Sequence, residues 1–265
     1  MGGAVLDGLP GWVTLLRAPN AGPMTLDGTN TWVLRAPGDE LGLVIDPGPL
    51  DDGHLARIAG HGPFRSILVT HGHHDHVEGA ARLSEMLGGT PVLAASPEHG
   101  APFGHRVEAG GLAVEVLATP GHTADSVCFL AAHDGERAIF TGDTILGRGT
   151  TVVAAPDGDL GAYLDSLTVL SAYPQVLMLP GHGPARSDVA ELAGVYLAHR
   201  RERLAQVEAA MAAGANTPEE VVDLVYPDIA PGVRFAAKWS AAAQLNYLRH
   251  RNRESGTRSD GLDRL

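Results

Sequence analysis

Cysteine is almost missing from this chain of 265 residues: Cys128 stands alone, so no intramolecular disulfide can brace the fold. Its apolar setting, SVCFL, reads as a small buried core residue, and the lack of a disulfide framework agrees with a reducing compartment. Aromatic residues make up 5% of the sequence, which leaves few platforms on which nucleic-acid bases could stack. No run approaches the roughly 18–20 apolar residues that a membrane span requires. The opening MGGAVLDGLPGWVTLLRAPN has no basic segment followed by a sustained apolar one. Neither an export signal nor membrane contact is therefore expected, and the cytoplasm is the predicted location.

Cations are also scarce, 19 against 31 acidic residues, and their distribution is uneven. Residues 1–195 hold 9 arginines and 22 acidic groups, whereas residues 196–265 hold 10 cations and 9 acidic groups. The larger part would repel a polyanion at long range. The later part, with Arg200, Arg201, Arg203, Arg249, Arg251 and Arg253, reads either as a solvated helix face or as a polyanion contact.

What the sequence does have is a series of short apolar runs bounded by Gly, Pro and Asp: TWVLRA, LGLVIDPG, SILVTHG, PVLAAS, LAVEVLATPGH, SVCFLAA, RAIFTGD and VLMLPGH. These predict strands, several too apolar to carry a solvated face. Helical periodicity lies between some of them, in DDGHLARIAGHG, VEGAARLSEMLGG and GDLGAYLDSLTVLSA, so the class is mixed α/β. After Pro184 the pattern turns helical. SDVAELAGVYLAHRRERLAQVEAAMAAG is long and amphipathic, with Gly214 as its stop. TPEEVVDLVY opens on an N-cap, Thr217, with Pro218 behind it and Glu220 as the capping-box partner. A third helix is expected from about Gly232 to His250, and the polar end RNRESGTRSDGLDRL is expected to fray. The predicted organisation is a main domain over residues 1–213 and a small helical annex over residues 214–265.

Potential metal ligands sit immediately after strand-like runs. His71, His73, Asp75 and His76 follow SILVT; His122 follows EVLATPG; Asp143 follows AIFTG; His182 follows VLMLPG. Loops at strand ends on one sheet edge let distant side chains converge. Within HGHHDH the alternation His71, His73, Asp75 points three groups to one side of an extended segment while His76 turns toward a second position, which suits two metals better than one. Imidazole and carboxylate favour zinc, with manganese and iron as alternatives. Asp46, in VIDPG, reads as an acceptor that orients a ligand histidine. His74 falls on the wrong parity for the shared face, and His54, His61, His99, His105, His133, His199 and His250 read as ordinary surface residues. Thr119 and Thr123 flank His122, as tuning groups or as turn caps.

The ordered set HGHHDH, PGHT, TGD and PGHG resembles the metallo-β-lactamase fold hydrolases over roughly residues 25–185. The resemblance implies an αββα sandwich with a dinuclear site at one edge of its two sheets. It implies His71, His73 and His122 on the first metal, and Asp75, His76 and His182 on the second, with Asp143 bridging. Two divalent ions roughly 3.5–4 Å apart can share a hydroxide as nucleophile, because each lowers the pKa of the water. Asp75, which can also relay a proton, and His182 are the expected catalytic residues.

Within that family, the aspartate at position 143 and the lack of an export signal argue against antibiotic hydrolysis. The short stretch between Asp143 and His182 leaves no room for the large inserted domain of one nuclease branch. The stretches AGPMTLDGTNTWVL, TGDTILGRGTT, YLDSL and LPGHGP, followed by AHRRERLAQV, resemble the beta-lactamase-like protein 2 group, which includes single-strand-specific endoribonucleases and carries a winged-helix-like C-terminal part. Two substrate classes follow: phosphodiesters of single-stranded RNA, or a small acyl substrate of a glyoxalase II-like thioester hydrolase or lactonase. Arg148, Gly149, Thr150, Arg200 and Arg203 are the expected substrate contacts for either class. Self-association is left open.

Overall fold

The computed structural model of the chain describes residues 8–259. Two five-stranded sheets lie face to face. The first orders β1 (Val13–Arg17), β2 (Asn30–Leu34), β3 (Gly42–Ile45), β4 (Phe64–Leu68) and β5 (Val92–Leu93) side by side. The second orders β10 (Leu177–Pro180), β9 (Glu136–Gly142), β8 (Val127–His133), β7 (Leu112–Ala118) and β6 (Arg106–Ala109).

Period-two alternation explains why these strands are so apolar: each central strand buries both faces. Trp32, Leu34, Leu43, Ile45 and Leu68 of the first sheet meet Phe129, Ala131 and Phe140 of the second in the layer between the sheets. The intervening Val33, Val44 and Ile67 face outward onto Leu55 and Ile58 of α1 (Asp52–Ala59) and Leu83 of α3 (Ala80–Met86). Cys128, Leu130, Ile139 and Met178 face the other way, onto α4 (Leu160–Leu170) and α5 (Val189–Ala212). Four layers result, the expected αββα sandwich, and Cys128 takes its expected buried place.

The annex helices α6 (Pro218–Val225) and α7 (Arg234–Ser259) join that last layer. Val221, Val222, Ala237, Ala241 and Leu245 belong to the same buried cluster as Tyr163 and Leu197, so the core continues across Gly214. The capping box on Thr217 and Glu220 is present. Among the described residues no strand follows β10, so no pair of wing strands accompanies these helices. The polar end expected to fray is helical as far as Ser259, and residues 260–265 lie outside the described residues, as do residues 1–7 of the N-terminal segment. No helix among the described residues is long and apolar enough to cross a membrane.

Candidate metal centre

Strand direction places the ligands. β7 is antiparallel to β8, β8 to β9, and β9 parallel to β10, so β7, β9 and β10 end at one edge. β3 and β4 are parallel and end together in the other sheet. Asn30 N–H to the Gly181 carbonyl (2.8 Å) and Val127 N–H to the Thr70 carbonyl (2.9 Å) stitch the two edges. The approach is close enough to require glycine. A Cβ on Gly181 would lie 2.7 Å from both Asp143 Oδ1 and the His76 ring.

The segment HGHHDH is not extended throughout. His73 is the N-cap of a single helical turn, α2 (His74–Val77), so the expected strand alternation gives way after His73. The turn swings Asp75 and His76 to the far side of the cluster and leaves His74 exposed. All seven expected ligands nevertheless converge, in three groups: His71, His73 and His122; His71, His76 and Asp143; Asp75, His76 and His182.

Hydrogen bonds outside the cluster fix which nitrogen each imidazole presents. His71 Nδ1 faces Thr70 Oγ1 (3.0 Å), whose proton goes to Asp46 Oδ2 (2.7 Å), so Nδ1–H donates and Nε2 points inward as an acceptor. His76 Nδ1–H donates to Asp46 Oδ2 (2.8 Å), and His122 Nδ1–H to the Val152 carbonyl (2.7 Å). His182 Nδ1 lies 3.4 Å from the Gly28 carbonyl. Four rings thus offer Nε2, while His73 offers Nδ1. The buried aspartate–imidazole and backbone–imidazole arrangement is the orientation a metal ligand needs.

The remaining distances test the fit. His73 Nδ1 stands 3.1 Å from His71 Nε2 and 3.0 Å from His122 Nε2, and His76 Nε2 stands 3.2 Å from His182 Nε2. Ligands about 2.0–2.1 Å from a tetrahedral zinc lie about 3.3 Å apart, close to these spacings. Asp75 Oδ2 is 3.0 Å from His182 Nε2, and Asp143 Oδ2 is 3.7 Å from His122 Nε2 and 3.5 Å from His182 Nε2. Asp143 therefore stands between the two histidine groups, and its Oδ1 is buried without a hydrogen-bond partner. The donor set fits a pair of divalent cations.

Burial and the neighbouring imidazoles hold His71 well below the usual histidine range, so it is neutral and ready to ligate. Burial opposes protonation of His76, but Asp143, Asp46 and Asp75 outweigh it and raise its pKa to about 10. Burial alone would raise Asp75; His76 and His182 instead hold it below the usual carboxylate range. A cation at the second position would take over the place of the His76 proton.

Asp46 accepts from His76 Nδ1 and from Thr70, the position the expected orienting role needs, and the residues around it had no motif to reveal them. Thr70 contributes its amide to Asp46 Oδ1 (2.8 Å) and its hydroxyl to Oδ2. His54, expected at the surface, is 1% exposed and sits behind this group, its Nε2 2.9 Å from Thr31 Oγ1, whose proton goes to the Asp46 carbonyl. Thr119 bonds Cys128 and Thr144, and Thr123 bonds Asp125 and Ser126, so neither tunes His122; the Val152 carbonyl does.

The expected substrate contacts divide. Arg148, Gly149 and Thr150 are exposed, and Arg148 pairs with Asp27 across the rim. Arg200 is not on a basic surface: it is 4% exposed, donates to the Thr151 carbonyl, and lies over the Tyr163 ring at 5.1 Å. Thr151 Oγ1 in turn donates to the Asp143 carbonyl (2.8 Å), so Arg200 secures the loop that follows a ligand. Arg203 packs over Tyr226 and donates to Val225, the last carbonyl of α6, where the helix dipole favours a cation. His199, also expected at the surface, is half-buried with Nδ1 unpartnered.

Residues 24–88 and 85–182 match the model of the metallo-beta-lactamase superfamily. The chain belongs to the metallo-beta-lactamase superfamily. It is 32% identical over 245 residues to the Beta-lactamase-like protein 2 homolog of Caenorhabditis elegans, covering 85% of this chain and 80% of that one. It is 31% identical over 235 residues to an Atrochrysone carboxyl ACP thioesterase of Aspergillus chevalieri, covering 81% and 73%. The fold superposes on a Beta-lactamase domain protein from Burkholderia ambifaria with a TM-score of 0.75 at 22% identity, covering 91% and 90%. This metallo-beta-lactamase superfamily member is accordingly a hydrolase, with a His/Asp cluster suited to divalent metal.

Proposed function

We propose that this hydrolase cleaves small acyl thioesters or esters at a dinuclear zinc centre, with manganese or iron as alternative metals. The observation that carries the substrate class is a cavity of about 220 Å³ walled by Met24, Val152, Ile229, Val233 and Ala237, joined to the centre through Val152, whose carbonyl accepts from His122 Nδ1. Such a space suits a compact acyl group. The annex cations are also engaged: Arg234 with Asp223, Lys238 with Glu219, Arg251 with Glu208, and Arg249 on the Asn216 carbonyl. Little uncompensated charge is left to track phosphates. The thioesterase name borne by one relative points the same way.

His71, His73 and His122 would hold one cation, Asp75, His76 and His182 the other, with Asp143 between them. When bound, the metals supply Lewis acidity, lowering the pKa of a water and polarising the acyl carbonyl. Asp75, 29% exposed and held ionised, would hold the second cation through Oδ2, which faces His76 and His182, and can accept the proton of the attacking water at its other carboxylate oxygen. His182 Nε2, 3.0 Å from Asp75 Oδ2, would share that cation with it. Water's oxygen ends in the carboxylic acid and its proton on the departing thiol.

A second reading, cleavage of single-stranded RNA, draws on Phe235 and Trp239, which are 40% and 48% exposed on α7. They pack edge to face at 5.0 Å, so each partly covers the other as a stacking platform. Zinc-loaded protein assayed on S-lactoylglutathione, single-stranded RNA and bis(p-nitrophenyl) phosphate separates the readings. Thioester turnover that Asp75→Ala abolishes is expected. RNA cleavage without thioester turnover would overturn the proposal.

A further inference from the structure

The cavity beside the centre holds a feature that its apolar walls do not explain. Arg200, from α5, reaches it with a side chain that is 4% exposed. Among the described residues no carboxylate lies within ion-pairing distance of its guanidinium. One nitrogen donates to the neutral Thr151 carbonyl and the Tyr163 ring lies beneath, but Nε has no partner. His199, the preceding residue, lines the same cavity, and its Nδ1 is likewise buried and unpartnered. A buried cation without a counter-charge, and two buried nitrogens without acceptors, are costly arrangements that a fold keeps where a ligand completes them.

We infer that this cavity receives the acyl part of the substrate, and that the acyl part ends in a carboxylate met by Arg200 Nε–H and the His199 ring. The inference rests on the acyl-hydrolase reading. The volume, about 220 Å³, equals that of about seven water molecules at about 30 Å³ each, which suits a short dicarboxylic acyl group. The walls match an alkyl spacer. A singly charged carboxylate fits better than a phosphate, because part of the Arg200 fork is already engaged with Thr151. Burial and the neighbouring Arg200 and Arg203 hold His199 below the usual range, so its ring is neutral, and its Nδ1–H tautomer is the one that would donate to the carboxylate.

The cavity also adjoins the chemistry. Val152, on its wall, accepts the Nδ1–H of His122, and Thr151 Oγ1 donates to the Asp143 carbonyl. An acyl group anchored at Arg200 would present its other end toward the loop that holds two of the metal ligands.

The test compares N-acetylcysteamine thioesters of glutarate and of pentanoate on zinc-loaded wild type, Ala237→Leu and His199→Phe, with calorimetric binding of free glutarate and pentanoate alongside. Ala237→Leu fills the cavity from the annex side, and zinc content checks that the centre is intact. In the wild type kcat/KM for the glutaryl thioester exceeds that for the pentanoyl one by about 10- to 100-fold, the range of a charge-assisted hydrogen bond. Both variants erase most of that preference, and glutarate binding weakens in parallel. Equal turnover of the two thioesters, or a preference untouched by both variants, overturns the inference and leaves the hydrolase reading standing. Glutarate binding that Ala237→Leu abolishes, without turnover of either thioester, supports the pocket and overturns the reading of the reaction.

Discussion

Asp46 has φ of 51°, an uncommon conformation for a residue other than glycine, at the point where β3 ends. That bend turns its carboxylate back to accept from the Thr70 amide, the Thr70 hydroxyl and His76 Nδ1 at once. One strained residue thus fixes the tautomers of two ligands, His71 and His76. Behind it, His54 Nδ1 lies 3.0 Å from an Arg57 nitrogen, which can only donate. His54 must therefore be neutral with its proton on Nε2, directed at Thr31. Burial, and after it Arg57, lower its pKa from 6.5 to about 4. The unfolded chain takes up this proton first, so the stabilisation is complete above about pH 6.5 and is lost as pH falls toward about 4. In urea titrations of metal-free protein, His54→Gln is expected to be less stable than wild type at neutral pH, with the gap narrowing at acid pH. A gap that stays constant would rule out a buried neutral His54.

At the scale of elements, the capping box of α6 is the part most directly readable from sequence. Thr217 Oγ1 accepts the Glu220 amide, and Glu220 Oε2 accepts from Thr217 N (3.0 Å) and Asn216 N (2.7 Å). Thr217→Ala is expected to lower stability by about 1 kcal/mol, read as a lower urea midpoint with an unchanged slope, while zinc content stays the same. No loss would mean that packing of Val221 and Val222 alone holds the helix start. The eight apolar runs read as strands are strands, because each buries a face in one layer or two. β6 was missed because exposed Arg106 and Glu108 alternate with buried residues and leave no apolar run; β1 was missed although it carries the apolar VTLL. The turn of α2 was missed because four residues carry too little periodicity to outweigh an alternating motif. Arg200 was readable in principle. It lies on the stripe of Val189, Leu192, Tyr196, Leu204 and Val207 that faces the core, and its charge masked that register.

For the whole molecule, the decisive fact is that five strand ends from two sheets meet at one edge, and that what meets there is unfavourable without a cation. Residue types pointed to the seven candidate ligands, which the structure brings together. The acceptors that aim them, the carbonyls of Val152 and Gly28, are backbone groups and leave no trace in residue identity. Metal-free protein keeps ring nitrogens about as close as a shared ion would hold them and leaves Asp143 Oδ1 buried without a partner. Binding to the folded chain alone adds about 2.7 kcal/mol per site at a free metal concentration about 100 times Kd. For a domain of this size each kcal/mol moves Tm by about 2–4 °C, so zinc should raise Tm by at least about 5 °C over chelated protein. Native mass spectrometry of the same samples should show two ions per chain, with His182→Ala retaining one. A single ion in the wild type, or a Tm indifferent to chelator, would dismantle the dinuclear assignment, which needs His71, His73 and His122 on one ion and Asp75, His76 and His182 on another.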